Sequence, residues 1–150
     1  MISDGEDAID IYTDGACLGN PGPGGWAALI RIGLEEIELY GGEKNTTNNR
    51  MEMMAVIEGL SHIESDSKVS IYTDSKYVQK GMTEWIFAWK KRNWKTASKN
   101  PVKNIDLWRD LDDAQRRHTV SWNWVKGHSG NKDNERVDML ARLEAEKFNS

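Results

Sequence analysis

Cysteine is almost missing from this chain of 150 residues: Cys17 stands alone, so no intramolecular disulfide can form and nothing argues for an oxidising compartment. A lone cysteine of this kind is expected to be a small buried apolar residue. Long apolar runs are missing too, and the first residues, Met1 to Asp7, are acidic and polar rather than basic and then apolar. Neither a membrane span nor a targeting leader is expected, which leaves a cytoplasmic soluble protein with no membrane partner. No linker-like stretch divides the chain, so residues 1–150 read as one domain. The three histidines, His62, His118 and His128, lack metal-ligand spacing, and with cysteine so scarce zinc is not expected. The glycine-rich stretch from Gly19 to Gly25 lacks a Gly-Lys-Ser/Thr ending and does not pass from strand into helix. That excludes a nucleotide cofactor cradled there.

A surplus of positive charge is the last absence. The net charge of −4 gives no hint of a phosphate-backbone partner, but its distribution does. Between Ile86 and Ile105 lie six cations, Lys90, Lys91, Arg92, Lys95, Lys99 and Lys103, and no acid, leaving −10 for the rest of the chain. Trp85, Trp89 and Trp94 fall among them, a mixture suited to a nucleic-acid backbone and its sugar faces. Trp85 and Trp89, four residues apart, could equally be core.

What is present most conspicuously is a repeated tetrapeptide. Ile-Tyr-Thr-Asp occurs at positions 11–14 and again at 71–74, each time closing a short apolar run. Ile9, Ile11 and Thr13 alternate with Asp10 and Tyr12 as in a strand, and Gly19 to Gly25 reads as a turn. Trp26 to Ile32 and Ile37 to Tyr40 are expected to complete an antiparallel meander. Met53, Val56, Ile57, Leu60 and Ile63 then follow helical spacing from an N-cap at Thr46 or Thr47, with Gly59 suggesting close backbone packing. Val69 to Thr73 returns to strand, and a strand-helix-strand crossover makes it parallel to its partner. The residues around the two copies do not repeat, so this is no duplicated module. Further helix carries Trp85 and Trp89, a basic loop holds Pro101, and Ile105, Trp108 and Leu111 mark another helical face. Val120, Trp122 and Trp124 alternate as a fifth strand. A last helix from about Asn134 carries Val137, Leu140, Ala141, Ala145 and Phe148 on one stripe. The expected class is α/β with a five-stranded mixed sheet.

On neighbouring parallel strands, both tetrapeptides end at one sheet edge, where Asp14 and Asp74 repel unless a cation lies between them. Glu52 stands at the start of the helix that links the two strands, and Asp138 follows Val137, flanking a core-facing stripe. Any one acid alone would read as solvated or as a helix cap; position makes convergence the better reading. Carboxylates buried together must keep protons or bind a cation, and their oxygens suit Mg²⁺ or Mn²⁺. His128, bounded by Gly127 and Gly130 between the fifth strand and the last helix, is a candidate mobile proton carrier. His62 and His118 read as ordinary.

Five motifs in order then carry a resemblance: Thr13-Asp14-Gly15, Thr47-Asn48-Asn49-Arg50-Met51-Glu52, Thr73-Asp74-Ser75, Trp124-Val125-Lys126-Gly127-His128 and Asn134-Glu135-Arg136-Val137-Asp138. With them the chain closely resembles bacterial-type ribonuclease HI over nearly its whole length, and the Trp-Lys-Lys-Arg-Asn-Trp-Lys segment from Trp89 looks like the basic protrusion of that family. The resemblance implies a ribonuclease H-like sheet of order 3-2-1-4-5 with helices on both faces. It also implies an endonuclease, expected to be a monomer, that hydrolyses the RNA strand of an RNA·DNA hybrid and leaves 5′-phosphate and 3′-hydroxyl ends.

Roles follow by the same resemblance. Asp14, Glu52, Asp74 and Asp138 match four carboxylates that hold two Mg²⁺ ions, with Mn²⁺ able to substitute, and His128 matches a residue that helps protons or product depart. Asn48, Asn49 and Lys76 match minor-groove contacts, with Asn20 nearby, while Thr47 and Trp85 would serve the DNA strand. Lys90, Lys91, Arg92, Trp94 and Lys95 would bind backbone. Lys76 departs from the Gln that many bacterial relatives carry, which leaves two roles open for it, a minor-groove contact or a phosphate contact in place of a base-edge hydrogen bond. Two alternatives remain: another nuclease or strand-transfer enzyme of the fold, and a catalytically silent hybrid-binding module. The first lacks the Lys-Gly-His loop and basic protrusion together, and the intact carboxylate set counts against the second.

Overall fold

The computed structural model describes residues 8–127 and 130–149. Three antiparallel strands open the chain: β1 (Ile9–Cys17), β2 (Gly22–Ile32) and β3 (Glu35–Thr46). The turn after β1 is shorter than the glycine run suggests, because β2 already begins at Gly22. Those glycines serve packing instead: a Cβ on Gly25 would lie 2.2 Å from the Ala141 carbonyl oxygen, so the last helix meets β2 backbone to backbone. Beyond Gly33, whose φ of +58° suits glycine, β3 runs back along β2.

Helix α1 (Asn48–His62) starts where the capping residue dictates: the Thr47 hydroxyl accepts the Arg50 N–H at 3.3 Å. Its expected stripe is buried at Met53, Val56 and Leu60. Gly59 packs as expected, since a Cβ there would touch Ile11 at 3.0 Å. Strand β4 (Lys68–Thr73) then lies parallel to β1 in a register that aligns the repeat with itself, Ile11 opposite Ile71, Tyr12 opposite Tyr72 and Thr13 opposite Thr73. The two tyrosine rings stack 4.7 Å apart.

After β4 the chain forms α2 (Lys76–Lys80), capped by the Ser75 hydroxyl, then a π-helical turn over Gly81–Trp85 and α3 (Ile86–Lys91). Helix α4 (Ile105–Arg116) buries Trp108 and Leu111, and β5 (Thr119–Trp124) pairs in parallel with β4. Helix α5 (Lys132–Lys147) begins two residues before the expected start at Asn134, where the Asn131 side chain caps it. The sheet order is β3-β2-β1-β4-β5, as expected. One face packs against α1 and α4 around Ile11, Ile71, Met53 and Trp108; the other packs Ala27 and Leu29 against Val137 and Ala141 of α5. Among the described residues, no helix is long and apolar enough to cross a membrane.

Candidate active site

The site forms where β1 and β4 part. Their pairing ends at Thr13 opposite Thr73; Asp14 stays in β1 opposite Ala27 of β2, while Asp74 leaves the sheet. Only the second tetrapeptide therefore closes its strand, since β1 runs on to Cys17. Helix α1 enters beside this notch because Gly15 has no side chain. A Cβ there would lie 2.4 Å from the Glu52 nitrogen and 2.6 Å from the Met51 carbonyl carbon. Carboxylate oxygens of Asp14, Glu52 and Asp74 consequently lie within 4.8 Å of one another.

Their surroundings are unfavourable to charge. Asp14 and Glu52 are 3% and 5% exposed, and Asp74 is half-buried. Burial, followed by the charge of Asp74, pushes Asp14 up to about 8, although the Gly15 N–H donates to its Oδ1 at 2.8 Å. Glu52 is raised well above the usual carboxylate range, first by burial and then by Asp14 and Asp74. Asp74 is raised as well, chiefly by burial, with Asp138 adding to it. Glu52 Oε1 and Asp74 Oδ1 are buried without a hydrogen-bond partner among the described residues. Three crowded oxygen donors, two of them unsatisfied, fit a hard divalent cation, which would relieve the desolvation and the repulsion together.

Asp138 stands outside this tight trio. It is half-buried on α5, 3.3 Å from Arg142, and its charge raises both Asp14 and Asp74. His128 lies outside the described residues. At the start of α1, Asn48 and Asn49 are half-buried one turn before Glu52, and the Asn20 side chain accepts the Asn48 N–H at 2.8 Å. Asn20 thus holds the helix start in place, a role that sequence spacing does not reveal.

The basic segment is less uniform than its composition. Lys90 turns back to Asp112 at 3.1 Å, sharing that buried carboxylate with Arg116 at 2.7 Å. Lys91, Arg92 and Lys95 are exposed and have no ion-pair partner among the described residues. Trp89 packs on Trp108 with ring centres 5.2 Å apart, so it belongs to the core. Trp85 rests against Trp89 and Tyr77 yet stays 36% exposed. Trp94 is half-buried, with the Arg109 guanidinium 5.4 Å from its ring centre.

One aromatic beside the acids, Trp124, was expected as part of the fifth strand but not as a site residue. The Trp124 indole N–H donates to the Asp74 carbonyl oxygen at 3.0 Å, and the Lys76 ammonium sits 4.8 Å from the centre of its ring. It shares a strand with half-buried Val120 and Trp122, but Trp124 is 42% exposed. The usable signal was its register: in parallel pairing it stands opposite Thr73, next to Asp74.

The RNase H family model matches residues 6–146. A ribonuclease H of Paramagnetospirillum magneticum is 62% identical over 136 residues, covering 91% of this chain and 88% of the relative. One of Chromobacterium violaceum is 62% identical over 137 residues, covering 91% and 93%. Among solved structures, LC9-RNase H1, a type 1 RNase H with the type 2 active-site motif, superposes with a TM-score of 0.85 at 33% identity, covering 95% of this chain and 74% of that one. With a family match over nearly its whole length and identities of this size, the chain belongs to the ribonuclease H family.

Proposed function

We propose that the chain is an endoribonuclease that hydrolyses the RNA strand of RNA·DNA hybrids, with Asp14, Glu52, Asp74 and Asp138 holding two Mg²⁺ ions. The observation that carries this reading is the trio of buried Asp14 and Glu52 with half-buried Asp74, whose two unpartnered oxygens sit where β1 and β4 part. Bound divalent ions supply the positive charge that favours attack of water on phosphorus and departure of the 3′ oxygen. The water oxygen joins the 5′-phosphate, the bond from phosphorus to the 3′ oxygen breaks, and a proton reaches that oxygen. The carboxylates of this chain keep their places through the β1–β4 register and the Gly15 contact, so the donors are arranged before substrate arrives. Asn48 and Asn49 lie one turn from Glu52, which supports reading of the RNA minor groove, where 2′-hydroxyls are displayed. The family match over residues 6–146 supports one domain.

The deciding assay offers labelled RNA·DNA hybrid, double-stranded RNA, double-stranded DNA and single-stranded RNA with Mg²⁺. Cleavage confined to the RNA of the hybrid is expected; equal cleavage of double-stranded RNA rejects the reading, and EDTA should stop the reaction.

Three further outcomes follow, two from the arrangement of the cations and one from the role proposed for His128. Replacing Lys91 and Arg92 together by Gln is expected to flatten the dependence of log binding constant on log salt by up to about 1.8, since each phosphate contact contributes about 0.9. The Lys90→Gln protein should instead lose stability, because Asp112 would lose one of its two cations. Salt titrations and thermal melts separate these results. For His128→Ala, turnover about a hundredfold slower, with hybrid affinity retained, is the expected result in a comparison of single-turnover and steady-state rates.

A further inference from the structure

Trp124 is built into the site from two directions. It ends β5 opposite Thr73, and the next residue continues the attachment, with the Val125 N–H donating to the Thr73 carbonyl at 2.9 Å. The indole N–H then takes the Asp74 carbonyl at 3.0 Å. A few residues on, the chain passes so close that a Cβ on Gly127 would lie 2.8 Å from Asp74 Oδ2. The end of β5 thus wraps the residue that leaves β4. On its other side the Trp124 ring carries the Lys76 ammonium, 4.8 Å from the ring centre, within the range of a cation–π contact.

The contact with Lys76 has a chemical consequence. A lysine ammonium is a mobile point charge on a flexible stem, poorly suited to fixed recognition unless something restrains it. An exposed aromatic face restrains it without neutralising it, whereas a carboxylate would cancel its charge. We infer that Trp124 is a positioning residue for hybrid cleavage: its indole N–H steadies the main chain of Asp74, and its ring holds the Lys76 ammonium ready for a backbone phosphate of the RNA strand. This rests on reading the chain as a nuclease of RNA·DNA hybrids.

Hybrid binding in EDTA across a salt series, single-turnover cleavage with Mg²⁺, and proton NMR of the free protein test the inference. In the unmodified chain, the ε-methylene protons of Lys76 should resonate upfield from the shielding of the Trp124 ring. Lys76→Met should weaken low-salt binding about two- to fivefold and reduce the salt slope by about 0.9. Trp124→Leu should produce the same binding loss, and the double variant should bind no worse than Lys76→Met alone. Trp124→Phe, which keeps a ring but no N–H, should bind within about twofold of the parent yet cleave about tenfold more slowly. Losses that multiply in the double variant overturn the inference, as does a Trp124→Phe protein that binds no better than Trp124→Leu. An unshifted Lys76 signal in the parent overturns it without any variant that must fold. Failure of the unmodified chain to prefer hybrid in the four-substrate assay defeats the underlying reading, and is seen independently of the NMR signal.

Discussion

Replacing Asp14 by asparagine is expected to abolish Mg²⁺-dependent cleavage of the hybrid and, in EDTA at pH 8, to make the protein more stable than its parent. The first effect should be about a thousandfold or more in single-turnover rate, the order lost when one preorganised polar group is removed from a reacting centre. The second follows from where the proton sits. Native Asp14 holds its proton up to about pH 8, whereas the unfolded chain releases it near 3.8. Between those values the folded state binds more protons, so stability of the metal-free parent falls as pH rises through that window. Asparagine has no proton to lose and relieves Glu52 and Asp74 of a repelling neighbour. A gain on the order of 2 kcal/mol would raise Tm by about 4–8 °C in a chain of this size. The advantage should shrink toward pH 4 and reverse in saturating Mg²⁺, which stabilises the parent by binding the native acids. Thermal melts at pH 4.5 and 8, with EDTA and with Mg²⁺, check all of this. A parent more stable than the variant in EDTA at pH 8 would refute the view that these acids are crowded.

Gly15→Ala should be severely damaging. The new Cβ would meet main-chain atoms of Met51 and Glu52 at 2.4 to 2.6 Å, and backbone cannot swing aside as a side chain can. Either β1 bends or α1 lifts, at a cost of about 3 kcal/mol from overpacking. Lifting α1 also draws Glu52 away from Asp14 and Asp74, and misplacement by about 1 Å costs on the order of a hundredfold in rate. The expected protein melts well below the parent and cleaves about a hundredfold more slowly even where it is fully folded. Normal cleavage below the melting range would show that the close approach of α1 is not what assembles the trio.

Much of this was legible beforehand, for identifiable reasons. Period-two alternation around Ile9 and Ile11 and helical spacing from Met53 to Ile63 report burial directly, so the elements and their order could be read. Asp14, Glu52 and Asp74 were legible because strand direction brings their positions to one edge. The glycines misled: Gly22 to Gly25 look like a turn but lie in β2, since a sequence cannot distinguish a glycine needed for bending from one needed to admit α5. The pairing of Lys90 with Asp112 was not legible, because Asp112 comes from a helix 22 positions later. The contacts of Trp124 with Asp74 and Lys76 were not legible because they cross from one element to another and depend on side-chain direction at a strand's end, where alternation no longer predicts burial. Asn20 was legible as a neighbour of the site but not as the support of Asn48.

On the proposed roles of Asp14 and Asp74, the in-register pairing of the two Ile-Tyr-Thr segments, with Tyr12 stacked on Tyr72, makes alignment of β1 with β4 a condition of activity. A slip of one residue would turn each side chain of one strand to the opposite face and separate Asp14 from Asp74. Because these strands come from opposite sides of the β2–β3–α1 segment, no short fragment can hold the pair. Regain of cleavage during refolding would therefore report the moment this long-range closure is complete, later than signals from the local β1–β2–β3 meander.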